Sequence, residues 1–181
     1  MTLTPFVTLR NSSLPYNWTT VLVGWRGVGV YYRLVSSEEV ISYSDDQLSA
    51  APNDKFDAVL ELSQATSDDV ELINNTLNAL ASPDTKDLKD AKRTWQLILL
   101  KDILTTLTND PVSSLTELSG FWAGFDYPSD GPHIVQGKNN TIAPQDYYTE
   151  QNLKQIIDKH LKWIRQEEEI LKNPTLTARS A

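Results

Sequence analysis

The chain has no cysteine. That absence excludes a disulfide framework, a zinc–thiolate site and a cysteine nucleophile together, and it suits a reducing cytosol. Histidine is nearly as scarce, with two in 181 residues. Neither His133 nor His160 belongs to the i, i+3 or i, i+4 pattern by which a helix presents metal ligands, so no metal site is expected. Long apolar runs are missing too. The longest, Val21–Val23 and Leu97–Leu100, fall far short of the ~20 residues a membrane helix requires. No basic start leads into an apolar stretch, so no signal peptide is expected. Gly27-Val28-Gly29 lacks the third glycine and the strand-to-helix setting of a dinucleotide loop, and reads as a tight turn beside a packed Trp25. The Gly-x-Ser-x-Gly elbow of nucleophilic hydrolases and the Lys-Ser/Thr loop of phosphoryl transfer are absent. No enzyme activity and no cofactor are expected.

Basic residues are outnumbered, 16 against 24 acidic, for a net charge of −8 and a pI of about 4.7. Such a field repels nucleic acid and anionic membranes and favours a basic partner. The 40% apolar content supplies a full core, and the length fits one domain over 1–181.

Helix signals dominate that length. Residues 1–16 read as irregular or partly extended. Asn17 caps a helix over 18–23 that ends at Gly24. Residues 30–35 read as a short strand, half of a minor strand pair near the N-terminus. Ser36 to Glu39 is a capping box, and the helix it opens stops before Pro52. Asn53 or Asp54 caps the next, with Phe56, Val59 and Leu60 inward. Thr66-Ser-Asp-Asp69 opens another, with Val70, Ile73, Leu77 and Leu80 at helical spacing. After Ser82-Pro-Asp-Thr85 a long helix runs over about 87–107, and Leu97–Leu100, apolar on all sides, makes it the expected central buried helix. Asp110-Pro111 is a cap followed by proline, with Val112, Leu115, Leu118, Trp122 and Phe125 in one stripe. Residues 126–146 form a long loop. The last helix covers about 146–172, and 175–181 is a frayed tail. The expectation is an all-α array of about seven helices.

The candidate surface follows from charge and aromatic chemistry. Asp45, Asp46, Asp68, Asp69, Glu71, Glu167 and Glu168 lie on expected exposed helix faces and would meet a basic partner. Trp163, flanked by Lys162 and Arg165, is a core-edge residue or an interface anchor, since Trp, Tyr and Arg dominate binding hot spots. Asp126, Tyr127, Asp130 and His133 occupy the long loop, and loops of this length are often functional. A hydrolase using Asp126, Asp130 and His133 is the enzymatic alternative, though no sequence spacing fixes two carboxylates at a working distance. His160, on the apolar face of the last helix, reads as a hydrogen-bonded core-edge residue.

Ser119 to His133 crowds four aromatics, two prolines and two aspartates into a helix end and the loop after it. Within it, residues 122–130 have the form Trp-Ala-x-Phe-x-Tyr-Pro-x-Asp. This resembles a signature of a family of uncharacterised, mostly helical bacterial proteins. The order of Trp18, Gly24-Trp25, Arg93-Thr-Trp95, the signature and a terminal helix is similar as well. Gly131-Pro132 and Val135-Gln-Gly137 depart from the family form, which has an apolar residue after the aspartate and an aromatic–proline pair further on. The resemblance implies no catalytic residues. It implies a cytoplasmic immunity protein, because some relatives are encoded beside toxins, and hence a cognate, basic toxin domain such as a nuclease as partner. A helical adaptor or regulatory subunit is the competing binding role.

Overall fold

The structure, a computed structural model, describes residues 4–173. Residues 1–3 and the expected tail over 175–181 lie outside that range. Among the described residues the regular structure is helical, with no strand, and no helix is long and apolar enough to cross a membrane. The fold is all-α. The chain divides into two compact units, Met1–Gln96 and Leu97–Ala181.

The first unit contains α1 (Pro5–Asn11), α2 (Trp18–Arg26), α3 (Ser37–Gln47) with a 3-10 turn at Leu48–Ala50, α4 (Phe56–Ser63), α5 (Val70–Leu80) and the opening of α6 (Thr85–Thr106). The irregular start expected over 1–16 is corrected by α1. The Thr4 hydroxyl accepts from Val7 N–H and Pro5 occupies the first turn, the same cap-then-proline logic as Asp110-Pro111. Asn17 and Thr20 form a reciprocal capping box on α2. That helix runs past Gly24 and stops at Gly27, whose φ is +88°. The short strand expected over 30–35 is reduced to one isolated bridge. Val28 and Tyr31 exchange backbone hydrogen bonds at 2.9 and 3.0 Å around Gly29-Val30, and Arg33 at φ 47° then ends any extended run.

Ser36 and Glu39 form their capping box on α3. Neither Asn53 nor Asp54 caps α4; Pro52–Lys55 is a turn closed by Lys55 N–H on Pro52 O, and the helix starts at Phe56. Its buried positions are Val59 and Leu62, while Phe56 is exposed. In α5 the Asp69 carboxylate accepts from both the N–H and the hydroxyl of Thr66, so Asp69 orders the entry turn while Thr66 does not cap the helix. Ile73, Leu77 and Leu80 are buried as their spacing requires, but Val70, in the first turn, is exposed. Trp95 is the centre of this unit. It is fully buried, its indole N–H donates to Thr20 O at 2.8 Å, and Phe6 packs on it. Phe6 in turn meets Tyr43 edge-on.

The second unit contains the remainder of α6, α7 (Pro111–Ala123), the single turn α8 (Pro144–Tyr147) and α9 (Glu150–Lys172). All four of Leu97–Leu100 are buried. Asp110 caps α7 through Ser113 N–H at 2.7 Å, with Pro111 in the first turn. Val112, expected in the apolar stripe, is exposed. The single last helix expected over 146–172 is split. Thr149 recaps the chain by accepting from Asn152 N–H, and the Asn152 amide donates back to Tyr147 O, so α9 begins afresh at Glu150. Leu153, Ile156, His160, Trp163, Ile164, Glu167 and Leu171 face inward along α9. Apart from the adjacent Trp163 and Ile164, they follow at 3- and 4-residue steps and trace one helical stripe.

Candidate functional site

The signature residues build a packed knot at the end of α7. Tyr127 N–H bonds to Trp122 O and Asp126 N–H to Ala123 O. These are the 6→1 and 5→2 bonds of a Schellman cap, with Asp126 in the left-handed position at φ 56°. Tyr127 follows at φ 49°. Two successive non-glycine residues there are uncommon, and each costs about 1–2 kcal/mol. The turn reverses the chain and returns the loop onto the Trp122 ring.

Trp122 is buried and surrounded by rings. Its indole N–H donates to Nε2 of His160 at 2.7 Å. The other imidazole nitrogen, Nδ1, is 2.7 Å from Ile156 O, which assigns the proton to Nδ1 and leaves Nε2 as acceptor. Trp163 meets Trp122 edge-on at 5.6 Å between centroids, and its own indole N–H donates to Asp130 O at 2.8 Å. His133 packs on Trp122 at 5.5 Å and on Tyr127 at 5.4 Å. The Lys138 ammonium lies 3.1 Å from the Tyr127 ring centroid, a cation–π contact. Further along, the Tyr147 hydroxyl donates to Ile134 O. Burial holds the His160 imidazole below its ordinary proton affinity, against the opposing effect of the Ile156 carbonyl. Burial and the nearby Lys138 do the same for His133. His133 Nδ1 is buried with no hydrogen-bond partner, and a Cβ on Gly131 would lie 2.8 Å from it.

Several expected contact residues therefore belong to the interior. Trp163 is 7% exposed and Glu167 is 3% exposed, so neither can be an open contact for a partner; both fall on the inward stripe of α9. Glu168 is half-buried and ion-paired with Lys101. Tyr127 and His133 are half-buried in the knot, whereas Asp126 and Asp130 are exposed at its edge. His133, Ile134, Val135, Lys138, Asn140 and Ile142 line a concavity of about 400 Å³ beside it. Among the described residues no group of three or more His, Asp or Glu side chains could hold a metal ion.

Asp45, Asp46, Asp68, Asp69 and Glu71 are all exposed, in the first unit. Asp46 pairs with Arg10, and the two hydrogen bonds from Thr66 hold the Asp69 carboxyl below its usual range. They belong to a larger feature. Between Ser36 and Leu80 the chain carries ten carboxylates and one basic residue, Lys55, whose ammonium is spent on Leu80 O at 3.0 Å. Asp54, Asp57 and Glu61 are exposed in the same segment. A running charge count along the sequence finds this block; a residue-by-residue search for helix caps does not. The same unit projects Tyr32 and Val30, 81% and 73% exposed, from the Gly27–Arg33 turn, with Arg33 stacked 3.9 Å from the Trp25 ring centroid.

Neither a curated protein nor a solved structure matches the chain. A family model matches residues 6–168, which includes both units' helices from α1 into α9. The chain belongs to DUF2247, a family of uncharacterised proteins conserved in bacteria.

Proposed function

We propose that this protein is an immunity protein that binds one cognate toxin domain in the bacterial cytoplasm and neutralises it by stoichiometric occlusion. The observation that supports this reading is the acidic block over α3–α5, where ten carboxylates face a single lysine already engaged by a backbone carbonyl. A surface of this kind suits a basic partner such as a nuclease, whose site must attract phosphate. Long-range attraction raises the association rate, which is what a protein that must intercept a toxin requires. The contact residues are then Asp45, Asp68, Asp69 and Glu71, joined by Asp54, Asp57 and Glu61, and they exclude Trp163 and Glu167.

A hydrolase built on Asp126, Asp130 and His133 is the weaker reading. The His133 ring is packed against Trp122 and Tyr127, and its Nδ1 has no partner, so no carboxylate orients it there as a base requires.

The test is co-expression with the protein encoded immediately upstream. Expression of that neighbour alone should be lethal and expression with this chain tolerated, with a 1:1 complex on purification. Raising salt should slow association far more than it speeds dissociation. A harmless neighbour, or housekeeping subunits as the sole stoichiometric partner, moves the protein to the adaptor role. A salt-independent association rate removes the acidic docking surface.

A further inference from the structure

The geometry points to an acid-released latch in which the chain's two histidines hold the 124–143 loop closed on Trp122 only while both are neutral. His160 and His133 are the only histidines in the sequence, and both pack against the one Trp122 ring, at 5.7 and 5.5 Å between centroids. The hydrogen bond from Trp122 N–H to His160 Nε2 needs an unprotonated acceptor. Protonating Nε2 places an N–H donor opposite the indole N–H donor, and the bond is lost. His160 Nδ1 keeps its own carbonyl, Ile156 O, in either state.

Tyr127 and Lys138 on the loop lie at or beside the pair, as do the two imidazoles themselves; Asp126 and Asp130 lie on the same loop, and Glu167 is buried on the inward stripe of α9 that carries His160, one turn beyond Trp163. A cation on His133 would stand near Lys138, and a cation on His160 near His133, so each added proton opposes closure. Trp122 is the anchor of the loop. Gly131 lies against its ring, and Trp163, packed edge-on to it, holds Asp130 O. Loss of the Trp122–His160 bond therefore loosens the segment from Asp126 to His133 as a unit.

Both imidazoles have their proton affinity lowered in the closed loop, so the open loop binds protons more readily. Closure is complete above the ordinary histidine value of 6.5 and is lost as pH falls below it towards the lowered values. Each histidine proton taken up changes the opening equilibrium by about tenfold per pH unit in that window.

The experiment is indole N–H exchange by NMR on the full chain, from about pH 7.5 to about pH 5, across the histidine range, with Trp95 as internal reference because its indole bonds to Thr20 O. The expected result is that protection of the Trp122 and Trp163 indoles falls by about tenfold or more per pH unit, after correction for intrinsic exchange, while that of Trp95 holds. His133→Gln, which removes a ring with no Nδ1 hydrogen bond, should reduce the slope; His160→Gln, which offers a non-titrating acceptor, should reduce it further. Unchanged protection of Trp122 while His160 titrates, or equal loss at all three indoles, overturns the latch. A slope unaltered in the folded His133→Gln protein removes His133 from it.

Discussion

Gly24, in the middle of α2, lies against the face of Trp95: a Cβ placed on it would sit 2.4 Å from the indole Cζ2 and 2.6 Å from a Val35 methyl. Glycine inside a helix costs ~0.5–1 kcal/mol relative to alanine, so this one is present for close approach. Trp95 is fully buried and tied to Thr20 O, which leaves it nowhere to move. Gly24→Ala should lower the unfolding free energy by about 1–3 kcal/mol through overpacking, against the gain its helix propensity alone would give. Chemical denaturation of the two proteins checks this; an alanine variant of equal or greater stability would show that α2 can slide away from the ring.

The left-handed Asp126 at φ 56° is strained for any residue with a side chain. Asp126→Gly relieves that strain while adding glycine's entropy cost, for a net gain of roughly 0.5 kcal/mol. Asp126→Val should lose ~1–2 kcal/mol, because a branched side chain suits that conformation least. Thermal melts of the pair decide it, and a stabilising valine would refute the Schellman assignment.

Trp163 reads very differently before and after folding. As an interface anchor its removal would weaken partner binding and leave the free protein intact. Its 7% exposure and its bond to Asp130 O place it in the core instead. Trp163→Ala should cost about 3–5 kcal/mol of stability, and Trp163→Phe about 1–2, chiefly the lost hydrogen bond. By contrast Tyr32→Ala, at 81% exposure, should stay within ~0.5 kcal/mol of the parent. Equilibrium unfolding of the three variants separates the roles.

Tyr43 predicts the alkaline behaviour. Burial pushes its phenol up from 10 to about 12, with Tyr16 adding to the shift. The folded state therefore holds the proton that the unfolded state releases. Stability from this group is intact below pH 10 and is lost as pH rises from there towards 12. Absorbance titration should show Tyr43 ionising after the exposed tyrosines and together with loss of helical signal. Removing the phenol in Tyr43→Phe should flatten the stability profile above pH 10.

What the sequence determined by itself is the local part of the fold. Asn17, the Ser36–Glu39 box and Asp110-Pro111 begin helices where they stand, because a cap satisfies its own helix's free N–H groups within three residues. Periodic apolar residues such as Ile73, Leu77 and Leu80 share one helix face because their spacing matches the 3.6-residue turn. Membership in an uncharacterised family conserved in bacteria, which the resemblance implied, is shown by the family match over residues 6–168. Tertiary structure decided the rest. Whether Trp163 and Glu167 lie inside or out depends on how wide a stripe of α9 its neighbours cover, which the helix's own sequence does not specify. The signature reads as a binding loop because it is aromatic and proline-rich. It folds as a buried knot because α9 brings His160 and Trp163 to Trp122 from about forty residues away in the chain, a meeting that no local pattern encodes.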